Sequence, residues 1–217
     1  METKADRWVL WPRDAVTLDG TLVAPAAVRL VLFHKPKGII TTRHDERGRR
    51  SLLDVLPVEL HGLQAVGRLD QATSGVLVLT NDSDLGNLLT DPTHRIEREY
   101  IVTVRGAITT EAVQGACDGL SDAGDWLQWR RAEILKQSQR ESHLRVTLTE
   151  GKNREVRRIC AALGHEVTRL RRIRFGPFSL DGLEPGNWRE VPVSEARQAV
   201  NRLLQSPRKG VPEKRSR

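Results

Sequence analysis

The chain has 217 residues, of which 38% are hydrophobic and 29% are charged, a balance typical of a globular protein and not of a disordered one. It contains no apolar run near the roughly 20 residues of a membrane-spanning helix and no signal segment at its start, so we expect a cytoplasmic protein without a membrane partner. The formal net charge of +7 favours a polyanionic partner.

The first half of the chain predicts short strands separated by turns. Residues 1–27 are expected to form an irregular lead-in with one hairpin at Asp19-Gly20, a pair favoured in tight turns. Short apolar runs bounded by turn residues then indicate buried strands. The predicted elements are strands at 28–33, 64–66 and 76–79, an extended segment at 39–42, a helical turn at 52–56 and a helix at 83–89.

The second half mixes strands with amphipathic helices. The predicted elements are strands at 99–104, 129–135, 144–148 and 167–173, an extended piece at 178–183, and helices at 110–120, 152–163 and 194–204. Because strands dominate and do not alternate strictly with long helices, we predict an α+β fold with a mixed, mostly antiparallel sheet. Residues 206–217 are rich in Pro, Gly and charge and predict a disordered basic tail.

Two segments could place reactive groups at a site. In an extended Gly67-Arg68-Leu69-Asp70 segment, Arg68 and Asp70 point the same way. A neighbouring guanidinium keeps a carboxylate ionised, and such a carboxylate can act as nucleophile or base. Tyr100, the only tyrosine, can stack on an unstacked base. The alternatives are an ordinary surface ion pair and a half-buried strand aromatic.

Residues 143–174 hold nine Lys and Arg against three Glu. Lys152, Asn153 and Arg154 come at a predicted helix N-terminus, where free backbone N–H groups favour anions. Arg157 and Arg158 lie largely off that helix's apolar face, so this segment predicts phosphate contacts, with a solvated charged face as the alternative.

Four arginines lie on the strand predicted at 167–173 or directly after it. Strand alternation places Arg172 and Arg174 on one side with Leu170, and Arg169 and Arg171 on the other. Contact with a polyanion accounts for this density better than stability does.

The sequence predicts neither a metal nor a cofactor. The six histidines are scattered and form no His-Glu-x-x-His pair, and the two cysteines are far apart and are expected to be reduced. Glycine-rich loops of the phosphate-binding and dinucleotide-binding types are also missing.

Four segments in order resemble pseudouridine synthases of the RsuA/RluB/RluE/RluF type. They are LFHKPKGIITT (32–42), AVGRLDQATSGVLVLTND (65–82), REYIVTV (98–104) and LTEGKNREVRRICAALGHEVTRLRRIRFGPFSLDGLEPGNWREV (148–191). The resemblance implies a catalytic domain over 28–205, in which a central mixed sheet forms two lobes that flank a catalytic cleft. It also implies isomerisation of a uridine in ribosomal RNA, 23S more than 16S, by a cofactor-free enzyme.

The resemblance also assigns roles to residues. Asp70 would be the essential carboxylate, Arg68 would pair with it, and Tyr100 would pack against the target uracil. The implied substrate-binding residues are Lys152, Asn153, Arg154, Arg157, Arg158, Leu170 and Arg172.

Members of this type often begin with an S4 RNA-binding domain, whereas only about 27 residues precede the first matching strand here. That favours the RluE branch, which lacks the domain, and we expect a monomer. The alternatives are a non-catalytic RNA-binding protein of ribosome assembly and a nucleosidase, although the sequence offers no convincing second carboxylate for hydrolysis.

Overall fold

A computed structural model describes residues 15–24, 26–42 and 48–205. Its strands are β1 (Val16–Leu18), β2 (Thr21–Val23), β3 (Leu30–Lys35), β4 (Gln64–Val66), β5 (Ser74–Thr80), β6 (Arg98–Arg105), β7 (Leu120–Asp122), β8 (Asp125–Leu127), β9 (Arg131–Gln137), β10 (Glu141–Leu148), β11 (Val167–Phe175), β12 (Phe178–Ser179) and β13 (Trp188–Val191). The helices are α1 (Ser83–Thr90), α2 (Thr110–Asp118), α3 (Glu155–Ala162) and α4 (Val193–Gln205), with single 3-10 turns at Val58–Leu60 and Pro92–His94.

One mixed sheet of nine strands organises the chain. Its order is β13-β3-β5-β11-β6-β10-β9, with β4 also paired to β5 and β12 to β11. The pairs are antiparallel except β5 with β11, which is parallel and joins only Ser74 to Arg171 and Gly75 to Arg172. This short junction divides a proximal lobe (β13, β3, β5 and β4) from a distal lobe (β11, β6, β10 and β9). The predicted α+β class and the mostly antiparallel sheet are confirmed.

The proximal lobe is covered on both faces. Strands β3 and β5 are buried at nearly every position and apolar over residues 30–33 and 76–79, as expected of strands covered on two sides. On one face Leu32 and Val78 pack with Leu85 of α1 and Val200 of α4. On the other face Leu77 and its neighbours pack against residues 52–69, which bring the 67–70 segment to the end of β5.

The distal lobe is covered on one face. Val102, Leu144 and Leu170 cluster with Ile159 of α3 and Val113 of α2. We call this side of the distal lobe, which also carries Tyr100, the cleft face, and the opposite side the outer face.

Several elements differ from the sequence-based prediction. The hairpin β7–β8 and strand β13 were not predicted, because both are short and polar. The predicted extended segment at 39–42 forms only a single bridge, between Ile40 and Ser51, and the piece at 178–183 shortens to β12. The hairpin at Asp19-Gly20 is confirmed. The predicted basic tail at 206–217 lies outside the described residues, as do residues 1–14. In the described ranges, no helix is long and apolar enough to cross a membrane.

Candidate active site

A cavity of about 930 Å³ opens between the lobes. Eight of the predicted site residues line it: Arg68, Asp70, Tyr100, Lys152, Asn153, Arg154, Leu170 and Arg172. Segments distant in sequence, the 67–73 loop, β6, the 148–156 segment and β11, therefore meet at one place, as a catalytic or binding site requires. Lining residues that the sequence reasoning missed include Arg49, Arg95, Arg98, Glu155 and Phe175.

The loop that carries Asp70 is held by its own backbone oxygens. All five carbonyl groups from residue 69 to residue 73 accept a hydrogen bond, from the side chains of Thr41, Lys35 and Arg157 or from the backbone N–H of Gly38 and Thr73. A loop with every carbonyl satisfied has little freedom to rearrange. The carboxylate is thus presented from a fixed backbone.

Lys35 is the most buried of these donors. Its side chain is inaccessible to solvent, and its Nζ donates to the carbonyl oxygens of Pro36, Asp70 and Thr73 at 2.9 to 3.2 Å. Burial lowers the pKa of Lys35 to about 8, while the nearby Asp70 carboxylate acts in the opposite direction. Sequence reasoning assigned Lys35 no role at the site.

Arg157 holds the loop from behind. Its two terminal nitrogens donate to Ala72 O and Val167 O, each at 3.1 Å. Burial lowers the pKa of Arg157, as does the neighbouring Arg154 guanidinium, and the side chain does not line the cavity. The structure therefore places Arg157 off the cavity wall, where its guanidinium joins the Asp70 loop to β11.

Asp70 pairs with Arg154 and not with Arg68. The distance from Arg154 Nη1 to Asp70 Oδ2 is 3.6 Å, and the Asp70 side chain keeps about a third of its surface exposed (35%). Arg68 is exposed and forms no ion pair with any residue that the structure describes. The predicted Arg68–Asp70 pair is thus wrong, although Arg68 does lie on the cavity wall.

Arg154 reaches Asp70 because its backbone is left-handed. With φ at 49°, it ends the 150–154 segment and precedes α3, which begins at Glu155 and not at the predicted Lys152. A left-handed non-glycine residue is uncommon and costs about 1–2 kcal/mol. Backbone strain of this kind is found at sites where a side chain must point in one direction. Here the side chain is that of Arg154, and it points to the Asp70 carboxylate.

Glu155 fixes the same segment from inside. It is 3% exposed, and its Oε2 accepts a hydrogen bond from the backbone N–H of Lys152 at 3.2 Å. Burial, reinforced by Glu150, raises the pKa of Glu155 to about 7. Lys152 Nζ in turn contacts Glu150 at 2.6 Å and the carbonyl of Trp126 at 2.5 Å.

Tyr100 and Leu170 form an apolar part of the wall. They are 9% and 6% exposed, and they occupy neighbouring strands, β6 and β11, on the cleft face. Tyr100 lies directly across from Arg172 in the ladder. A ring and a branched aliphatic group beside a carboxylate can hold a flat, uncharged ring while leaving its edge to polar groups.

Two arginines stack on Phe175 at the end of the cavity. The guanidinium carbons of Arg98 and Arg172 lie 5.1 and 4.8 Å from its ring centroid. Burial lowers the pKa of Arg98, which donates to the carbonyls of Ile96, Thr149 and Glu150. Arg98 thereby ties β6 to the 148–156 segment and builds the site, whereas sequence reasoning assigned it no role.

Two further arginines are not where the sequence suggested. Arg158 forms ion pairs with Asp122 at 2.6 Å and Asp125 at 2.8 Å, so it anchors the β7–β8 hairpin and does not line the cavity. Arg174 moves to the outer face because a bulge at Ile173 shifts the register of β11. The hairpin and the bulge that displaced them were not predicted.

No group of three or more metal-ligating side chains occurs among the described residues. The cavity instead presents the partly exposed Asp70 carboxylate, with Glu150 paired to Lys152, in a cationic, partly apolar wall.

A family model described as RNA pseudouridylate synthase matches residues 29–162, well over half of the chain. The chain belongs to the RNA pseudouridylate synthase family. The matched residues include Asp70, Tyr100 and the Arg154 segment, which are the parts that meet in the cavity.

Individual proteins with similar sequences carry names from the same family. The chain is 36% identical over 188 residues to ribosomal large subunit pseudouridine synthase B of Vibrio cholerae, covering 83% of this chain but 58% of that protein. It is 35% identical to the protein of the same name in Salmonella typhimurium, covering 89% and 69%. The chain thus spans between about half and two thirds of these relatives.

Solved structures share the fold. A crystal structure titled pseudouridylate synthase matches with a TM-score of 0.69 and 25% identity, covering 88% of this chain and 83% of that one. The archaeal box H/ACA sRNP Nop10-Cbf5 complex matches with a TM-score of 0.52 and 21% identity, over 70% of this chain and 49% of that chain, and supports the fold alone. The predicted pseudouridine synthase fold is confirmed.

Proposed function

We propose that this protein converts a uridine of large-subunit (23S) ribosomal RNA to pseudouridine, with Asp70 as the catalytic carboxylate. The observation that carries the proposal is the Asp70 carboxylate itself. It is partly exposed at 35%, paired with Arg154, and set on a fully hydrogen-bonded loop at the edge of the cavity. The name shared by the relatives at 35 and 36% identity supports the reaction and the RNA.

The cavity suits an extruded nucleotide. Its volume of about 930 Å³ lies in the upper part of the ligand-pocket range of about 300–1,000 Å³. Arg49, Arg68 and Arg95 lie on its wall with Lys152, where they can receive phosphates, while Tyr100 offers an apolar face to a base. Flipping a base out of its stack costs a few kcal/mol, which these contacts can offset.

The reaction then needs one carboxylate and no external reactant. Asp70 promotes cleavage of the bond between N1 and C1′, either by attack at C1′ or by removing the C2′ proton. The freed uracil rotates against the Tyr100 and Leu170 wall, and C5 bonds to C1′ as the bond from Asp70 to C1′ breaks or as the proton returns to C2′. C5 then loses its proton and N1 gains one, so the product is an isomer of the substrate. No electron is gained or lost, since one glycosidic bond replaces another.

The rival functions fit the cavity less well. A nucleosidase usually needs two carboxylates about the glycosidic bond. Glu150 is paired with Lys152, and Glu155 is almost fully buried and bonded to a backbone N–H, so both are occupied with structural partners. A non-catalytic RNA-binding protein has no use for a strained Arg154 aimed at a carboxylate.

The finer assignments remain part of the proposal. The relatives' names point to the synthase B branch and do not confirm the expected kinship with RluE. We keep residues 28–205 as the catalytic domain. We also keep the monomer as the expected state.

The test uses RNA that contains 5-tritiated uridine. Wild-type protein is expected to release tritium, and Asp70→Asn to bind the RNA with its affinity unchanged within about twofold while releasing none. Asp118→Asn is the matched control, since Asp118 is exposed at the end of α2 and accepts a hydrogen bond from Gln114 that an amide can replace.

Turnover by Asp70→Asn would remove Asp70 from the mechanism. Free uracil among the wild-type products would favour hydrolysis. RNA binding without tritium release by wild-type protein, on large-subunit RNA from cells that lack the gene, would favour the non-catalytic alternative.

A further inference from the structure

The outer face of the distal lobe is open and strongly cationic. Helices α2 and α3 pack on the cleft face, so strands β11, β6, β10 and β9 expose their other side to solvent. Seven cationic side chains project from it: Arg105, Arg131, Lys136, Arg145, Arg169, Arg171 and Arg174. On these strands Glu99, Glu133 and Glu141 oppose them, which leaves an excess of four positive charges.

All three carboxylates already have partners on the face, and Glu141 contacts His143 at 3.0 Å. Arg145 pairs with Glu99 at 3.2 Å and with Glu133 at 3.4 Å, and Arg174 lies 3.7 Å from Glu99. Arg169 and Arg171, by contrast, make no ion pair or hydrogen bond through their side chains with any described residue, and both are exposed.

These two arginines are not there for the fold. Residues two apart on a strand lie about 7 Å from each other on the same face, so their charges repel. Neither side chain covers a core, because Leu170 and Arg172 between and beside them are the buried positions of β11. A cost to the free protein that no internal contact offsets indicates an external anion.

We propose that the outer face binds the backbone of double-helical RNA, as a second contact beside the cleft. The face is broad, and its charge comes mainly from arginine, whose planar fork matches phosphate oxygens. The strands that form it present no Phe, Tyr or Trp there, so it lacks the stacking platform that single-stranded RNA uses. Backbone contact with a duplex needs only phosphate-binding groups.

The surface lies on the opposite side of the sheet from Tyr100 and Leu170. One RNA helix can therefore lie on the outer face while a uridine from another part of the same molecule occupies the cavity. This extends the proposed function, because it assigns a contact to a large structured RNA that a short substrate would not make.

The experiment measures binding of two probes at several salt concentrations. A blunt RNA duplex of about 20 base pairs has no unpaired uridine to insert in the cavity, and a short oligouridine has no duplex to offer the outer face. Arg169→Gln/Arg171→Gln should weaken duplex binding about 10-fold, reduce its salt slope by about two and leave oligouridine binding unchanged. The matched control is Arg189→Gln/Arg202→Gln, two exposed arginines on β13 and α4 at the far end of the molecule.

A gain is expected from Glu133→Gln, which removes an opposing charge and should tighten duplex binding. Equal duplex binding by the wild type and the Arg169/Arg171 double variant would overturn the proposal, as would an equal loss in the control pair. Loss of poly-glutamate binding with duplex binding intact would assign the face to an acidic protein instead. Tritium release by these variants is read separately, so a failed outer face and a failed catalytic assignment give different results.

Discussion

The two segments that meet at Asp70 are held in different ways. The 69–73 loop is fixed from outside, by side chains of β3, the 39–42 segment and α3 that donate to its carbonyl groups. The 150–154 segment is held only near its two ends, by Arg98 at the Glu150 carbonyl and by Glu155 with the left-handed backbone of Arg154. The site thus joins a rigid carboxylate to an arginine on a locally braced loop.

This difference suits the two segments to distinct tasks in the proposed reaction. Chemistry at C1′ or C2′ requires a carboxylate placed within a fraction of an ångström, and remote donors that cannot follow the loop provide that. In the proposed function, phosphate and ribose groups of the RNA need an arginine that can adjust, and a short segment braced only near its ends allows it. Changing each brace separately is the way to test this division.

The largest effect on turnover is expected from Lys35→Met. The substitution keeps the chain length but leaves the Asp70 and Thr73 carbonyls without their buried donor, so the loop should relax and kcat should fall about 100-fold. The free energy of unfolding should fall by about 1–3 kcal/mol. Kinetics of tritium release and urea unfolding measure the two. Lys37→Met, at an exposed position two residues on, is the control.

A kcat within twofold of the wild type for Lys35→Met would show that the outer bracing of the loop does not matter for catalysis. The division of tasks between the two segments would then be wrong.

The brace of the other segment should respond to pH. Glu155 has a pKa of about 7 in the folded protein against an ordinary value of 4.5, so the unfolded chain loses this proton first as pH rises. The free energy of unfolding therefore falls between about pH 4.5 and 7, by on the order of 2 kcal/mol, and levels off above. Glu155→Gln keeps an acceptor for the Lys152 N–H and should abolish this fall.

Urea unfolding at pH 5, 6.5 and 8 measures this change in the free energy of unfolding. The stability of Glu155→Gln relative to the wild type should rise with pH, whereas Glu195→Gln, at an exposed position on α4, should parallel the wild type. Parallel curves for Glu155→Gln as well would mean that Glu155 is ionised in the folded protein without cost.

The smallest effects are expected from substitutions of Arg154 and Arg158, which lie one helical turn apart and should behave differently. Arg154→Gln removes the partner of Asp70 and should lower kcat/KM about 10-fold and the salt slope of RNA binding by about one. Arg158→Gln frees the β7–β8 hairpin and should cost about 1 kcal/mol of stability without changing the salt slope. Equal salt slopes for the two variants would contradict the placement of Arg154 at the RNA.

Much of the site was within reach of the sequence. Asp70, Tyr100, Lys152, Asn153, Arg154, Leu170 and Arg172 were predicted as site residues and line one cavity, since each belongs to a motif read locally. Lys35, Arg98 and Glu155 were missed because a buried charged side chain looks like a surface one in a sequence. Arg157 and Arg158 were misplaced because their partners, Ala72 and the β7–β8 hairpin, lie 85 and about 35 residues away.

The sequence by itself determined most of the strands and the apolar faces, because these depend on residue type at spacings of two to four, and it supplied the 67–70 motif through its resemblance to the family. The tertiary structure alone decided which arginine meets Asp70, which side chains clamp its loop and on which face Arg174 lies. Those outcomes depend on one left-handed residue, one bulge and ion pairs across distant segments, where the energy differences are small and local patterns carry no signal.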